Sequence, residues 1–196
     1  MNYLMPGILV QTVLFGATQT TVGLAEDLSK GMIDRFRSLP MGRAAVMGGR
    51  TIADSIRNVF VVTLMLIVGG LIGFRFQNGI VAGLAAVGLV ILFGFAFSWI
   101  SAFIGLLTRD PETAQVAGFI WVFPLVFASS AFVPVETMPQ WLQAFANVQP
   151  ISVTVDAVRA LTLGRPLDPI WPTLAWIVAI LVVFVPLSVR QYRRSV

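Results

Sequence analysis

Charge is absent from most of this chain. No charged side chain occurs from Met1 to Ala25, from Phe76 to Thr108, from Thr113 to Val135 or from Pro169 to Val189. A helix rises 1.5 Å per residue, so about 20 apolar residues cross a hydrocarbon core of roughly 30 Å. Five stretches reach that length, at residues 3–25, 52–74, 80–107, 114–132 and 170–189. The chain is 57% hydrophobic and 11% charged, against about 45–50% and 25% in soluble domains. The expected fold is an all-α membrane protein. It is a helical bundle of about five transmembrane helices forming a single domain over residues 1–196.

The largest break in this pattern is the stretch Glu26 to Arg50, with five of the 13 basic and three of the nine acidic residues. Within it Leu28, Met32, Phe36 and Leu39 recur at helical spacing, while Lys30, Asp34 and Arg37 fall on other faces. This predicts an amphipathic helix over residues 26–39, closed by Pro40, since the residue before proline disfavours the α region. Such a helix lies in the headgroups or docks into a groove on a soluble partner, and periodicity does not choose between them. Basic residues collect on the cytoplasmic side of membranes. With residues 26–39 inside, ten of the 13 basic residues are cytoplasmic and only Arg75, Arg159 and Arg165 are outside. The amino terminus is then outside and the carboxyl terminus cytoplasmic, in a multi-pass protein of the cell membrane. The start, MNYLMPGILV, lacks the basic lead of a secretory signal.

Residues 133–169 form the longest segment between spans, with prolines at 134, 139, 150, 166 and 169. So long a stretch without structure is uncommon. Two short helical patterns, Pro139 to Asn147 and Ile151 to Leu163, predict an external, re-entrant helical hairpin. Asp156 and Arg159 stand at pairing distance on the second. Asp54 and Arg57 have the same spacing near the start of the second span, and Pro124 predicts a kink in the fourth. Gln11, Thr12, Thr18, Gln19, Thr20 and Thr21 make the first span unusually polar. Polar side chains in lipid face other helices or a water-filled path. Gln11, Thr18, Gln19 and Ser129 are the candidates for a substrate path, with interhelical or backbone hydrogen bonding as the alternative use.

Several chemistries are excluded or disfavoured. There is no cysteine and no histidine, so thiol chemistry, His-based acid–base catalysis and the common metal sites are missing. No phosphate loop of the GxxxxGK[ST] type occurs, and no aromatic-interleaved basic patch suits nucleic acid. The expectation is no catalytic residue, no cofactor and no metal in this chain. A proton-coupled carrier needs ionisable groups deep in the membrane. Only Asp54 and Arg57 fall inside a span, and they read as near its edge. A small membrane enzyme needs an ionisable cluster facing one cavity, which is not visible.

Pro6-Gly7 opening a span, Glu26-Asp27 at its end, then Gly31, Arg35, Pro40 and Arg43 resemble the membrane subunit of type-2 ATP-binding-cassette exporters. The likeness continues in LLTRDPETAQ (Leu106 to Gln115) and AFVPVETMPQWLQAFANVQP (Ala131 to Pro150), in the manner of daunorubicin-resistance-type permeases. It covers essentially the whole chain. The resemblance implies a permease that moves an amphipathic drug- or lipid-like substrate outward, or else a polysaccharide or glycolipid. ATP would be bound and hydrolysed by a separate ATPase subunit. It makes residues 26–39 a coupling helix, with Glu26, Gly31, Arg35, Phe36, Pro40 and Arg43 as contacts to that subunit. It also implies a second permease subunit, identical or not. Members of that family have six spans and begin inside. The first span is therefore expected to be missing from this sequence.

Overall fold

The computed structural model describes residues 2–30, 43–108 and 110–194, with the side chains of residues 43–48, 193 and 194 left aside. The predicted coupling helix, apart from residues 26–30, lies outside the described residues. Seven α-helices make up the described fold. They are α1 (Leu4–Ser29), α2 (Arg43–Leu71), α3 (Gly79–Thr108), α4 (Pro111–Phe127), α5 (Gln140–Ala146), α6 (Pro150–Leu163) and α7 (Ile170–Arg194), with a 3-10 turn at Val135–Thr137. No strand occurs among the described residues. The protein is an all-α membrane bundle. Four helices are long and apolar enough to cross a bilayer: Leu4–Ser29, Gly49–Leu71, Gly79–Thr108 and Ile170–Tyr192. The apolar α4 is shorter, at 17 residues, the lower limit of about 17 for a spanning helix.

Helix α3 is the centre of the bundle, packing on α1, α2, α4, α6 and α7, and α1 beside it packs on α2, α3, α4 and α6. Helix α1 runs antiparallel to α2. Met5 lies against Gly69, Gly16 against Asn58 and Gly23 against Arg50. It runs parallel to α3, with Val13 beside Gly94 and Thr21 beside Gly105. It is antiparallel to α4, with Gly7 beneath Ala131 and Thr18 beside Gly118. The small residues permit these approaches, because helices in lipid associate through close packing rather than a hydrophobic drive. At Gly7 an added Cβ would run into the Ala131 carbonyl, and at Gly105 it would meet the Thr21 backbone. The main core gathers Leu9, Val10, Val13 and Leu14 of α1 with Val90, Phe93 and Phe97 of α3 and Val155 and Val158 of α6. A second cluster, Leu24, Trp99, Ala102, Leu106 and Tyr192, closes the opposite end.

Local chemistry sets the helix boundaries. Asp110 caps α4 by accepting from the Thr113 N–H at 2.8 Å and hydroxyl at 2.7 Å, with Pro111 in the first turn. The hydroxyl bond first, then the backbone bond, holds the Asp110 carboxyl below its ordinary range. The cap's contribution is thus complete above the ordinary carboxylate range and is lost as pH falls through the lowered value. Helix α4 continues through Pro124 to Phe127. Helix α6 ends on Gly164, whose φ of 72° is the left-handed conformation glycine takes without strain. One boundary and one packing feature differ from the sequence expectation. Helix α2 starts at Arg43, well before residue 52, so Asp54 and Arg57 lie several turns inside it. The second helix of the 133–169 segment, α6, is buried along most of its length against α1, α3 and α7, whereas α5 buries only Ala146.

The Thr21–Gly105 approach is specific enough to test. Gly105→Val should cost about 1–3 kcal/mol through overpacking, whereas Gly88→Val, where an added Cβ meets nothing within 4 Å, should be near neutral. The midpoints of thermal unfolding in detergent check the difference.

Candidate functional site

Inside the bundle, most hydroxyl side chains bond to their own helix. Thr12 donates to Ile8 O, Thr18 to Phe15 O and Ser98 to Gly94 O. Other polar groups reach between helices, and most of them form two groups; the Asp27–Arg50 pair and single bonds from Thr173 to Val153 O and from Ser188 to Trp99 O stand apart.

The first lies between α1 and α2 at mid-depth. Thr20 donates to Asp54 Oδ2 at 2.6 Å. Arg57 Nη2 stands 3.3 Å from Asp54 Oδ1 and donates to the Gly16 carbonyl at 2.8 Å. Gly16 is at the midpoint of α1, so this ion pair sits in the middle of the bundle's thickness, deeper than the sequence suggested. The reason is the early start of α2 and its register on α1. Asp54 is largely buried, while the Arg57 side chain is 45% exposed. Asn58 is wedged between Gly16 and Gly94, and its Nδ2 is buried without a hydrogen-bond partner. Gln19, one turn along α1 from Gly16, is exposed. Around Arg57 most exposed side chains of α2 are apolar, including Ile56, Phe60 and Leu64, and the exposed Thr63 hydroxyl is bonded to Val59 O.

At the same depth on the opposite flank of α1, Phe15 meets α4. Its ring lies 5.9 Å from Phe119 and 5.7 Å from Phe123. The rings continue along α4 from Phe123 to Phe127 at 5.3 Å and on to Phe132 at 6.1 Å. Phe123 and Phe127 are exposed. One face of the bundle therefore presents a guanidinium on α2, an amide on α1 and a ladder of aromatic rings on α4.

The second polar group lies at the hairpin end. Arg159 of α6 is only 2% exposed. It bonds Asp156 at 3.0 Å, Ser130 O at 2.7 Å, Ala131 O at 3.2 Å and Tyr3 O at 3.2 Å, and it covers the Tyr3 ring at 3.8 Å. Ser130 donates to Asp156, and its N–H bonds Ser152 Oγ. Gln149 donates to Ala128 O. One buried cation thus fastens α6 to the end of α4 and the start of α1. A cation can be buried in this way because its donors are met by a carboxylate and three carbonyls.

The predicted site residues fall in different places. Thr18 is buried against α4, Gln11 is half-buried and Gln19 is exposed. Ser129 is buried at the hairpin end, donates to Val126 O and accepts from the Ala131 N–H. It is therefore apart from the other three. Glu26 pairs with Lys30 at 3.3 Å near the end of α1. Gly31, Arg35, Phe36 and Pro40 lie outside the described residues, and Arg43 opens α2 with its side chain undescribed. Asp27 and Arg50 form an ion pair that ties α1 to α2 on either side of that segment. Arg57 was not among the predicted site residues. Its polarity within an apolar run was the available signal. No group of acidic residues able to hold a metal occurs among the described residues.

The family profile described as "ABC-2 family transporter protein" matches residues 1–190. The chain is similar to the daunorubicin resistance ABC transporter permease protein DrrB1 of Streptomyces coeruleorubidus, with 35% identity over all of this chain and 69% of that protein. It is 31% identical to the probable doxorubicin resistance ABC transporter permease protein DrrC of Mycobacterium tuberculosis, over 98% of this chain and 70% of the relative. The probable multidrug ABC transporter permease YbhR of Escherichia coli is 22% identical over 99% of the chain and 53% of its own length.

Removal of the buried cation at the hairpin end should be costly. Arg159→Ala leaves two carbonyls of the α4 end without this donor and should destabilise the fold by about 3 kcal/mol, the low end for breaking a buried pair because Asp156 is half-exposed. Thermal unfolding in detergent, with Arg165→Ala as an exposed control, checks it.

Proposed function

The chain belongs to the ABC-2 transporter family, and from that premise we propose that it is the membrane permease of an ATP-driven exporter for amphipathic drug- or lipid-like molecules. The whole chain acts as one permease domain. A separate ATPase subunit binds and hydrolyses ATP, and a second permease subunit completes the working unit. Residues 26–39 act as the coupling helix on the cytoplasmic side and meet the ATPase. The amino terminus of this sequence is then outside, and the carboxyl terminus inside with Arg190, Arg193 and Arg194.

Arg57 is the observation that carries this reading. A guanidinium half-exposed at mid-depth is costly against acyl chains, and ionisable groups there face a polar interior or a substrate path. The surrounding face suits an amphipathic solute, with donors at Arg57 and Gln19 and aromatic rings at Phe123 and Phe127. Asp54 neutralises Arg57, so the site offers hydrogen bonds without a net charge. The drug-resistance names of two relatives agree with such a solute.

A ligand shifts a two-state membrane domain only through differential contact with the two states. The ATPase needs a handle, and Glu26, Gly31, Arg35, Phe36, Pro40 and Arg43 are proposed to supply it. Arg35→Glu with Phe36→Ala should abolish co-purification of the ATPase while leaving membrane insertion intact. Unchanged co-purification would remove these residues from that contact. Arg57→Leu should lower ATP-dependent efflux at least tenfold, the loss expected for a hydrogen bond to a charged group, with ATPase association preserved. Efflux that follows the proton gradient and ignores ATP would overturn the proposal.

A further inference from the structure

A cavity of about 260 Å³ opens at the hairpin end, away from the Arg57 face. It is lined by Asp156, Arg159 and Ala160 of α6 and by Arg165, Pro166, Asp168 and Pro169 of the turn into α7. Two cations and two carboxylates therefore share one small space. Their states differ. Arg159 and Asp156 are paired, and among the described residues the only Asp156 oxygen in hydrogen bonds is Oδ1, which takes both Arg159 and Ser130. Arg165 and Asp168 are exposed and make no side-chain hydrogen bond or ion pair within the described residues. The cavity thus offers one available cation, one available carboxylate and the second oxygen of another.

The turn that holds these groups is fixed in advance. Gly164 and Arg165 both donate from their backbone N–H to Ala160 O, at 3.0 and 3.1 Å. Pro166 and Pro169 fix φ on either side of Asp168. The Gln77 N–H bonds Thr162 O at 2.9 Å, which anchors the end of α6 to the link between α2 and α3. Ordering the groups before a ligand arrives lowers the entropic cost of binding.

The cavity's location points to its ligand. It ends at Pro169, one residue before α7 begins at Ile170. Trp171 is 76% exposed there, as expected for a ring at the level of lipid headgroups. Unpaired charges of both signs at that level match a zwitterion better than an anion or a cation. A carboxylate accepts hydrogen bonds from a primary ammonium, whereas a quaternary ammonium has none to give. Arginine takes phosphate through paired donors.

We propose that this cavity binds the headgroup of an ethanolamine phospholipid, with phosphate on Arg165 and ammonium between Asp168 and Asp156. The lipid is a bound component of the permease and does not occupy the transport face. The proposal rests on the membrane location of the hairpin end and not on the direction or energy source of transport.

The test uses the full chain purified in detergent and equilibrated with short-chain phosphatidylethanolamine, phosphatidylcholine or phosphatidylglycerol, with bound lipid read by native mass spectrometry. Phosphatidylethanolamine should be retained about tenfold more strongly than either competitor, the value of roughly one charge-assisted hydrogen bond. Arg165→Ala and Asp168→Ala should each remove that preference, and both residues are exposed, so the fold should survive. Free phosphoethanolamine distinguishes a lipid site from a soluble-ligand site, because it should bind far more weakly without acyl chains. Equal retention of the three lipids, unchanged preference in both variants, or equal binding of free phosphoethanolamine would each overturn the proposal. Loss of ATP-dependent efflux in the wild type with intact lipid preference would overturn the exporter reading alone.

Discussion

Hydrocarbon supplies no hydrogen bonds, and this one deficiency arranges the molecule. A hydroxyl placed in a span has little but protein to accept its proton, and the nearest acceptor is the carbonyl one turn back along its own helix; Thr21 and Ser101, buried without a partner, are exceptions. Thr12, Thr18, Ser55, Thr63, Ser98 and Thr154 all take that acceptor. Their polarity is consumed locally and leaves no mark on tertiary structure. What remains for contact between helices is shape, so glycine marks the closest approaches of α1 to its neighbours. The polar groups that do cross between helices then stand out: Asp54, Arg57 and Asn58 on one side, Arg159 on the other, with the Asp27–Arg50 pair and the hydroxyls of Thr173 and Ser188 besides.

Much of the fold was legible because the bilayer imposes so simple a requirement. Charge-free runs gave the long helices, and the prolines at 139 and 150 flank the starts of α5 and α6. The i,i+3 pairing of Asp156 with Arg159 was readable from spacing, and it is present at 3.0 Å. The destination of that arginine was not readable. Its carbonyl partners at Tyr3, Ser130 and Ala131 are remote in sequence, and backbone carbonyls carry no sequence signal. The depth of Arg57 was hidden for a related reason. Apolarity suggested a start near residue 52, but the helix itself runs on from Arg43, since helicity does not require a residue to be apolar. Depth depends on register between helices, and no single span contains that information.

The candidate face shows the same division. Gln19 was visible as a polar residue in a span, but exposure separated it from Thr18, which differs by one position and turns toward α4. Ser129 looked similar on paper. The structure binds it into the end of α4, where its hydroxyl both donates to and accepts from nearby backbone. The phenylalanines of α4 read as ordinary apolar filler until their stacking along one edge, beside Phe15, gave them a common direction.

Helix α6 touches the other elements through bonds of several kinds. Through Arg159 it grips the start of α1 and the end of α4, through Thr162 the α2–α3 link, and through Val153 O the first turn of α7. At the far end, α1 and α2 are tied by the Asp27–Arg50 pair, and α7 meets its neighbours mainly through apolar side chains. The assembly is thus riveted at one rim, like the ribs of a folding fan. Spreading the ribs at the open rim would slide apolar surfaces and break the Asp27–Arg50 pair and the Ser188–Trp99 bond, whereas spreading them at the rivet would strip a buried guanidinium of its three carbonyl acceptors on other elements. Motion in this bundle accordingly has a hinge before it has a cause.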